Sequence, residues 1–243
     1  MSDVFEGGSP PMTKAARRAA RRNEQNAREA AKRSSPLKPK TPKQAEAITA
    51  LKESEQVFLV GGAGTGKTYL ASRHAMRKLL DGKTDKIVIC RPTVAKEKHK
   101  QGFLPGGLEA KLRPWLVPVL DGMVAEASNT MIDKLKNDGR LEFLSFEHMR
   151  GRSIPDAVII LDEAQNCDLQ DLRMFLTRTG ENSQVIVCGD LDQIDIPNSG
   201  LETVLDMVED FDLDADIIEF GPEDVVRSRA AAGWVRAFSR SQP

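Results

Sequence analysis

The sequence predicts a doubly wound α/β fold built on a mostly parallel sheet, and three observations carry that prediction. From Gln56 onward, short β-branched runs alternate with helical stretches. These runs are apolar throughout rather than alternately apolar and polar, as is typical of parallel strands covered by helices on both faces. A glycine-rich or acidic turn follows three of them. At 243 residues the chain has room for one such domain and appendages.

The elements follow in a regular order. Five apolar runs predict strands: "QVFLV" (56–60), "KIVIC" (86–90), "AVIIL" (157–161), "VIVC" (185–188) and "DIIEF" (216–220). Helices are predicted from Lys67 to about Leu80, near 169–178, and near 223–239 at the end. Residues 91–150 interrupt the rhythm with a helical stretch, "LEAKLRPWLVPVLDGMVAEA", and a further strand, "LEFLSF". We interpret this part as an elaboration on one crossover of a domain spanning 41–243.

The N-terminal part differs from the rest in charge. Residues 1–43 contain eleven Lys or Arg and four Asp or Glu, whereas the remaining residues contain 24 basic and 32 acidic side chains. Residues 1–40 have few large apolar side chains, so they cannot form a core of their own. Two interpretations stay open: a basic arm for nucleic acid, helical over 14–33 when bound, or a solvated tail.

Several protein classes are disfavoured. The sequence has no apolar run near the roughly 18 residues of a membrane helix and no signal peptide, so we expect a cytoplasmic protein without a membrane partner. The three cysteines (Cys90, Cys167 and Cys188) suit reduced core thiols. The three histidines are scattered and predict no zinc site.

The strongest motif is "GGAGTGKT", which fits G-x-x-x-x-G-K-[ST] between a predicted strand and a predicted helix. Its glycines let the backbone wrap a phosphate, and its N–H groups and the helix N-terminus attract the negative charge. Lys67 is expected to reach the β- and γ-phosphates, and the Thr68 hydroxyl to bind Mg²⁺. The predicted nucleotide contacts are Gly61, Gly62, Ala63, Gly64, Thr65, Gly66, Lys67, Thr68 and Tyr69.

A second motif, "AVIILDEAQN", brings two carboxylates to the carboxyl edge of the sheet. Asp162 is expected to hold Mg²⁺, directly or through water. Glu163 is placed to polarise a water for attack on the γ-phosphate. Alone this pattern also fits an ordinary acidic strand end, but its position after a phosphate loop favours the catalytic interpretation.

A third motif, "VIVCGDLDQIDIP", ends another predicted strand with three aspartates and a glutamine. Taken by themselves, these groups suit a metal site, acid–base chemistry, nucleic-acid contact or a nucleotide sensor. Because this strand ends at the same sheet edge, we expect Gln193 to contact the γ-phosphate and the attacking water. Asp190 is then a supporting group near Mg²⁺ or Thr68.

These motifs together resemble the first domain of superfamily 1 helicases, and more closely the PhoH-like family of phosphate-starvation-inducible ATPases. The similar segments include "GGAGTGKTYLA", "RPTV", "GFLPGGLEAKLRPWLVPVLD", "RGRSIPDAVIILDEAQN", "GDLDQIDIP" and "DVVRS", in order. The resemblance implies a single RecA-like P-loop domain that uses ATP and Mg²⁺. It also implies single-stranded RNA or DNA as partner and a homo-oligomeric, hexameric ring. A compact member with a basic head suggests a phage copy.

The resemblance also implies further site residues. Gln44 resembles the glutamine that reads adenine in superfamily 1, although a surface helix position explains it as well. Hydrolysis commonly needs an arginine from a partner element, and the candidates are Arg227, then Arg178, and the pair Arg150 and Arg152.

Nucleic acid is expected along residues 91–100, "RPTVAKEKHK", where Lys and Arg would neutralise phosphates. Phe103 or Trp115 would stack a base, or else belong to the core. The acidic tract at 206–216 suits a solvated helix end better than a two-metal site.

Two other functions remain open from the sequence. A phosphotransferase would share the phosphate loop and pass the γ-phosphate to a small acceptor held in the 91–150 insertion. A nucleotide-gated RNA-binding or scaffold protein would bind ATP with negligible turnover. Glu163 and Gln193 favour hydrolysis over both, because they position water rather than an acceptor hydroxyl.

Overall fold

The computed structural model describes residues 36–92, 108–144, 146–149, 151, 153–227, 231, 233 and 234, and within these ranges the side chains of 108–115, 147 and 148 lie outside the description. The chain divides into two compact units, Met1–Pro36 and Leu37–Pro243. The predicted basic arm lies almost wholly outside the described residues. All of the strands and helices described belong to the second unit.

Six strands form one sheet in the order β3-β2-β4-β5-β1-β6. They are β1 (Gln56–Gly61), β2 (Lys86–Cys90), β3 (Leu141–Leu144), β4 (Ala157–Leu161), β5 (Gln184–Gly189) and β6 (Asp216–Phe220). Every pairing between the described strands is parallel. The predicted α/β fold with a parallel sheet is confirmed, and β3, from the 91–150 elaboration, extends the sheet at one edge.

Six α-helices accompany the sheet in the described residues. They are α1 (Pro42–Glu53), α2 (Lys67–Leu80), α3 (Leu108–Val124), α4 (Asn129–Asn137), α5 (Leu169–Leu176) and α6 (Leu201–Asp210). Short 3-10 turns occupy Phe146–Met149, Ala164–Asn166 and Pro222–Asp224. No helix among the described residues is long and apolar enough to cross a membrane.

The four inner strands, β1, β2, β4 and β5, are buried on both faces, which explains why they lack alternation. In β1, Val57 and Leu59 belong to one core cluster with α1, α2 and the insertion helices, whereas Phe58 and Val60 belong to the other cluster with α5 and α6. Successive side chains of a strand point to opposite faces, so a continuous apolar run supplies both cores. The three cysteines are buried in these cores and none of them is joined in a disulfide, as predicted.

The helix α3 of the elaboration lies directly against α2, the helix that follows the phosphate loop. A Cβ on Gly122 would lie 2.8 Å from the carbonyl oxygen of Tyr69 and 2.9 Å from the Cβ of Ser72, so only glycine permits this approach. Beyond α3, the Glu126 carboxylate is buried and paired with Arg73 and Arg77 of α2. The 91–150 elaboration is thereby joined to the phosphate-binding helix.

The predicted helix near 223–239 is wrong at its start. Pro222–Asp224 is a 3-10 turn, and Val225, Val226 and Arg227 are not helical. The physical reason is that the Val226 N–H donates to the Gly64 carbonyl at 2.9 Å, so this segment lies extended against the phosphate loop. Helical geometry appears at 231, 233 and 234.

Candidate nucleotide-binding site

The phosphate loop connects β1 to α2 with a backbone that requires glycine. Gly61, Gly64 and Gly66 have φ values of 136°, 88° and 93°. These left-handed conformations are open to glycine and costly for other residues. The Gly66 turn starts α2 at Lys67, so the helix N-terminus with its free N–H groups faces the loop.

Lys67 lies folded back into this loop. Its Nζ donates to the Gly61 carbonyl, to the Gly62 carbonyl at 2.9 Å and to the Thr65 hydroxyl at 3.5 Å. Burial lowers the pKa of the Lys67 ammonium from its usual value, and the neighbouring acidic groups oppose this shift. An anionic phosphate in the loop would offer this half-buried ammonium stronger acceptors than the two carbonyls.

Thr68 and Asp162 are in direct contact, as expected for two groups that share a metal ion. The Thr68 Oγ1 donates to Asp162 Oδ1 at 2.7 Å. Asp162 is buried, and this burial raises the pKa of its carboxyl, opposed by the Thr68 hydrogen bond and by Arg91. A hydroxyl and a carboxylate oxygen are hard ligands that suit Mg²⁺, which takes its other ligands from water and phosphate. The side chains present therefore fit this ion.

Glu163 has a strained backbone. Its φ of 58° and ψ of 42° place a bulky residue in the left-handed region, a conformation that costs of order 1–3 kcal/mol and concentrates at functional sites. The turn directs the side chain toward the cavity, and both carboxylate oxygens have partners. Oε2 accepts from Gln165 Nε2 at 2.7 Å, and Oε1 lies 3.4 Å from Arg91 Nη2.

Gln165 is a site residue that the sequence did not assign. It is buried, its Oε1 accepts from the Asp190 N–H at 3.1 Å, and its Nε2 also donates to the Gln193 carbonyl at 3.3 Å. Asn166 adds a second link, since its Oδ1 accepts from the Asp195 N–H at 2.8 Å. The signal was present in "DEAQN", where two amide side chains follow the acidic pair.

Gln193 lies on the exposed turn after β5 and lines the cavity. Its N–H donates to the Asp190 carbonyl at 3.2 Å. The Asp190 carboxylate caps the same turn by accepting from the Asp192 N–H at 3.1 Å, and burial raises its pKa. Because β5 lies between β1 and β4, this turn stands between the phosphate loop and the acidic pair. The sensor role of Gln193 stays a prediction.

One open cleft of about 280 Å³ gathers these groups. Its lining combines the phosphate loop, the acidic pair, the β5 turn and one residue of the elaboration: Ala63, Gly64, Gly66, Lys67, Thr68, Tyr69, Pro118, Asp162, Glu163, Gln165, Cys188, Gly189, Asp190, Gln193 and Arg227. Three separate strands thus deliver a cation, two carboxylates and amide groups to one volume, which is the arrangement a nucleoside triphosphate with Mg²⁺ requires.

Comparison with known proteins places the chain in a family. The family model described as "PhoH-like protein" matches residues 36–239. The chain belongs to the PhoH-like family. The "PhoH-like protein" of Mycobacterium tuberculosis strain H37Rv is 41% identical over 212 residues, covering 86% of this chain and 60% of the relative. The relative from Bacillus subtilis strain 168 is 39% identical over 207 residues, covering 84% and 64%.

The "Protein PhoH" of Escherichia coli strain K12 is 36% identical over 210 residues, covering 84% of this chain and 59% of the relative. The chain therefore spans about three fifths of the length of these relatives. Among solved structures, the large terminase of the thermophilic bacteriophage D6E aligns with a TM-score of 0.54 at 11% identity, over 85% of this chain and 51% of that chain. That likeness concerns the fold alone.

In this PhoH-like chain, Gln44 supports the phosphate loop. It is buried, its Nε2 donates to the Thr65 carbonyl at 2.8 Å, and its Oε1 accepts from the Lys40 N–H at 2.9 Å. Both ends of the carboxamide are thus used within the protein, and Gln44 is absent from the cleft lining. Reading an adenine edge would require Gln44 to give up these bonds.

The two favoured arginines lie at opposite ends of the strands: Arg227 at their carboxyl ends and Arg178 at their amino ends. Arg227 lines the cleft of its own chain, where a Cβ on Gly64 would lie 2.4 Å from the Arg227 Nε. Arg178 was expected near the nucleotide edge, and that placement is wrong. Its carbonyl accepts from the Ile154 N–H at 3.2 Å, ahead of β4, because α5 runs back to the edge where the strands begin.

Arg91 is a second residue whose surroundings differ from the prediction. It belongs to the segment expected to neutralise nucleic-acid phosphates, but its guanidinium forms ion pairs with Asp162 and Glu163. From Thr93 onward that segment falls outside the described residues, as do Phe103, Arg150 and Arg152, and the side chain of Trp115.

The acidic tract at 206–216 is the solvated helix end that was predicted. The helix α6 ends at Asp210, and the aspartates that follow it up to Asp216 are exposed. No group of three or more His, Cys, Asp or Glu side chains that would hold a metal occurs among the described residues.

Proposed function

We propose that this protein is an Mg²⁺-dependent ATPase that couples hydrolysis to binding, translocation or remodelling of single-stranded RNA or DNA. The observation that carries the hydrolytic part is the convergence of Lys67, the Thr68–Asp162 pair and Glu163 on one cleft. Membership of the PhoH-like family, whose motifs resemble those of superfamily 1 helicases, supports the nucleic-acid part.

The roles follow from the positions of the groups. Lys67 and the loop N–H groups bind the phosphates, and Thr68 with Asp162 holds Mg²⁺, which neutralises charge on the phosphate oxygens. Glu163 accepts a proton from the attacking water. Gln193 orients that water and the γ-phosphate, and contacts from the "DEAQN" amides connect its turn to the acidic pair.

Nucleic acid as the partner rests on charge and on the family resemblance. Eleven Lys or Arg lie within residues 1–43, and the 91–100 segment contributes Lys96, Lys98 and Lys100. Such side chains neutralise backbone phosphates without reading the bases. We therefore expect binding that tolerates any sequence and weakens as the salt concentration rises.

A ring of identical subunits, with six as the expected number, completes the proposal. Because Arg227 already lies in the cleft of its own chain, it would act on the nucleotide of that chain. Arg178 lies at the amino ends of the strands, away from this cleft, and is the candidate for the site of a neighbouring subunit. Of the two candidate arginines that the structure describes, Arg178 rather than Arg227 is then the one that we expect to act between subunits.

The experiment measures phosphate release from ATP with Mg²⁺, with and without single-stranded RNA or DNA. We expect the wild type to release phosphate, nucleic acid to change the rate, and Lys67→Ala to abolish both binding and turnover. Binding of ATP without turnover under all conditions would favour the scaffold alternative, and phosphate transfer to a small acceptor would favour the phosphotransferase. A rate and affinity indifferent to nucleic acid would contradict the coupling.

Native mass spectrometry and subunit mixing test the ring. A Lys67→Ala subunit has an intact Arg178, and an Arg178→Ala subunit has an intact phosphate loop. Mixing the two restores activity if Arg178 acts in the neighbouring site. Mixing Lys67→Ala with Arg227→Ala should restore none, since Arg227 serves its own cleft. A monomer that is fully active at nanomolar concentration would contradict the requirement for a neighbour.

A further inference from the structure

The order of the strands places an arginine beside the acidic pair. Strand β2 is the neighbour of β4, with Cys90 paired to Leu161, and the Asp162 N–H donates to the Cys90 carbonyl at 2.9 Å. Arg91 is the first residue after β2, and Asp162 is the first after β4. Their adjacency is therefore a property of the sheet register rather than of a loop.

The guanidinium of Arg91 bridges the two carboxylates. Its Nη1 lies 3.2 Å from Asp162 Oδ2, and its Nη2 lies 3.4 Å from Glu163 Oε1. The Arg91 side chain is 28% exposed and that of Asp162 is 6% exposed, so solvent screens this pair less than a surface pair. A planar guanidinium can donate to two carboxylates at once, which an ammonium does less well.

Glu163 is consequently held from two sides. Arg91 contacts Oε1 from β2, and Gln165 donates to Oε2 from the turn that follows β4. These two partners, one on each oxygen, hold the plane of the Glu163 carboxylate. A general base requires this control, because a small displacement from the productive geometry can cost about 100-fold in rate.

We propose that Arg91 is a positioning residue for this site, which aims Glu163 at the attacking water and offsets the repulsion between Glu163 and Asp162. This inference rests on the proposed ATPase function and deepens it. Arg91 acts through the carboxylates and is not among the residues that line the cleft. Loss of its charge should lower kcat while leaving the KM for ATP nearly unchanged.

Steady-state kinetics of Arg91→Met and Arg91→Lys test this role, with Arg173→Met on the exposed side of α5 as the matched control. We expect kcat to fall about 100-fold in Arg91→Met and less in Arg91→Lys, with KM within about threefold of the wild type. Thermal melts confirm folding, and Arg91→Lys carries the test if Arg91→Met does not fold. A kcat within about threefold of the wild type in both variants would overturn the proposal.

A double-mutant cycle shows whether Arg91 acts through Glu163. In a Glu163→Gln background the carboxylate is absent, so adding Arg91→Met should leave the residual rate unchanged within about twofold. A further loss of about 100-fold would mean that Arg91 acts independently of Glu163, and the positioning role would be wrong.

Binding of a fluorescent ADP analogue supplies a readout that needs no turnover. Without Arg91, Asp162 and Glu163 present less compensated negative charge to the phosphates, which Mg²⁺ would neutralise. We expect Arg91→Met to weaken ADP about tenfold in EDTA and no more than about threefold with Mg²⁺. Equal weakening in both conditions would contradict the charge-offsetting role. A wild type that binds ADP but never releases phosphate would refute the proposed function while leaving this binding test intact.

Discussion

The buried carboxylate of Glu126 provides the sharpest test of how the 91–150 elaboration is held to the phosphate-binding helix. Its side chain is 1% exposed and has two arginine partners on α2. Arg73 Nε donates to Oε1, and Arg77 donates to Oε2 from Nε at 3.0 Å and from Nη2 at 2.7 Å. The change Glu126→Gln keeps the shape and removes the charge.

The structure gives the expected magnitude. Each hydrogen bond to a charged group contributes about 1.5–3 kcal/mol, and breaking a buried ion pair from one side costs about 3–5 kcal/mol. The Arg77 side chain is 31% exposed, so water can solvate its guanidinium once the ion pair is broken. The Arg73 side chain is only 13% exposed and is mostly shielded from water. We therefore expect Glu126→Gln to lower the free energy of unfolding by about 3 kcal/mol.

Urea unfolding followed by circular dichroism measures this difference. The matched control is Glu142→Gln, which removes the partner of Lys86 at 3.6 Å in a more exposed pair and should cost less than about 1 kcal/mol. Equal costs for Glu126→Gln and Glu142→Gln, both below about 1 kcal/mol, would refute the reasoning. The elaboration would then be held by apolar packing alone.

Three further predictions concern other parts of the chain. Burial lowers the pKa of His74 from 6.5 to about 4. Between these two pH values the unfolded chain binds a proton at His74 and the folded chain does not. The free energy of unfolding should therefore fall by up to about 3 kcal/mol as the pH drops from about 6.5 to about 4. Urea unfolding against pH should show a steeper fall for wild type than for His74→Gln, and parallel curves would contradict this. Gly64→Ala should weaken ATP binding at least about tenfold, because φ is 88° and Arg227 occupies the space, whereas Gly82→Ala, with φ of 70° and open space, should bind ATP normally. Because Gln44 supports the loop, Gln44→Ala should weaken the binding of ATP and of GTP by the same factor. A weakening of ATP binding alone would instead support the role of Gln44 in reading adenine.

The sequence predicted the central sheet well because buried parallel strands have a simple signature. The runs at 86–90, 157–161 and 216–220 match β2, β4 and β6 at both ends, and the helix from Lys67 to Leu80 matches α2. These elements are defined locally, by apolar runs and by the glycine turn. The prediction of a helix near 223–239 was wrong at its start because the Val226 N–H donates to the phosphate loop, which is distant in the sequence.

The sequence predicted several of the residues that line the cleft, but not the contacts between them. Motif spacing brought Lys67, Thr68, Asp162 and Glu163 to one edge, and the structure places them in one cleft. The bridge from the arginine after β2 depends on which strand neighbours β4, which no local pattern specifies. In the same way, Gln165 gains its role only because the β5 turn lies beside it.

The most direct test of the central claim compares ATP binding with ATP turnover in Glu163→Gln. Glu163 lines the cleft without belonging to the phosphate loop, so its loss should leave binding intact and remove the general base. Equilibrium binding of ATP with Mg²⁺ should stay within about threefold of the wild type, while phosphate release should fall by at least about 100-fold. Turnover at the wild-type rate would contradict the assignment of this cleft as a hydrolytic site built around Glu163.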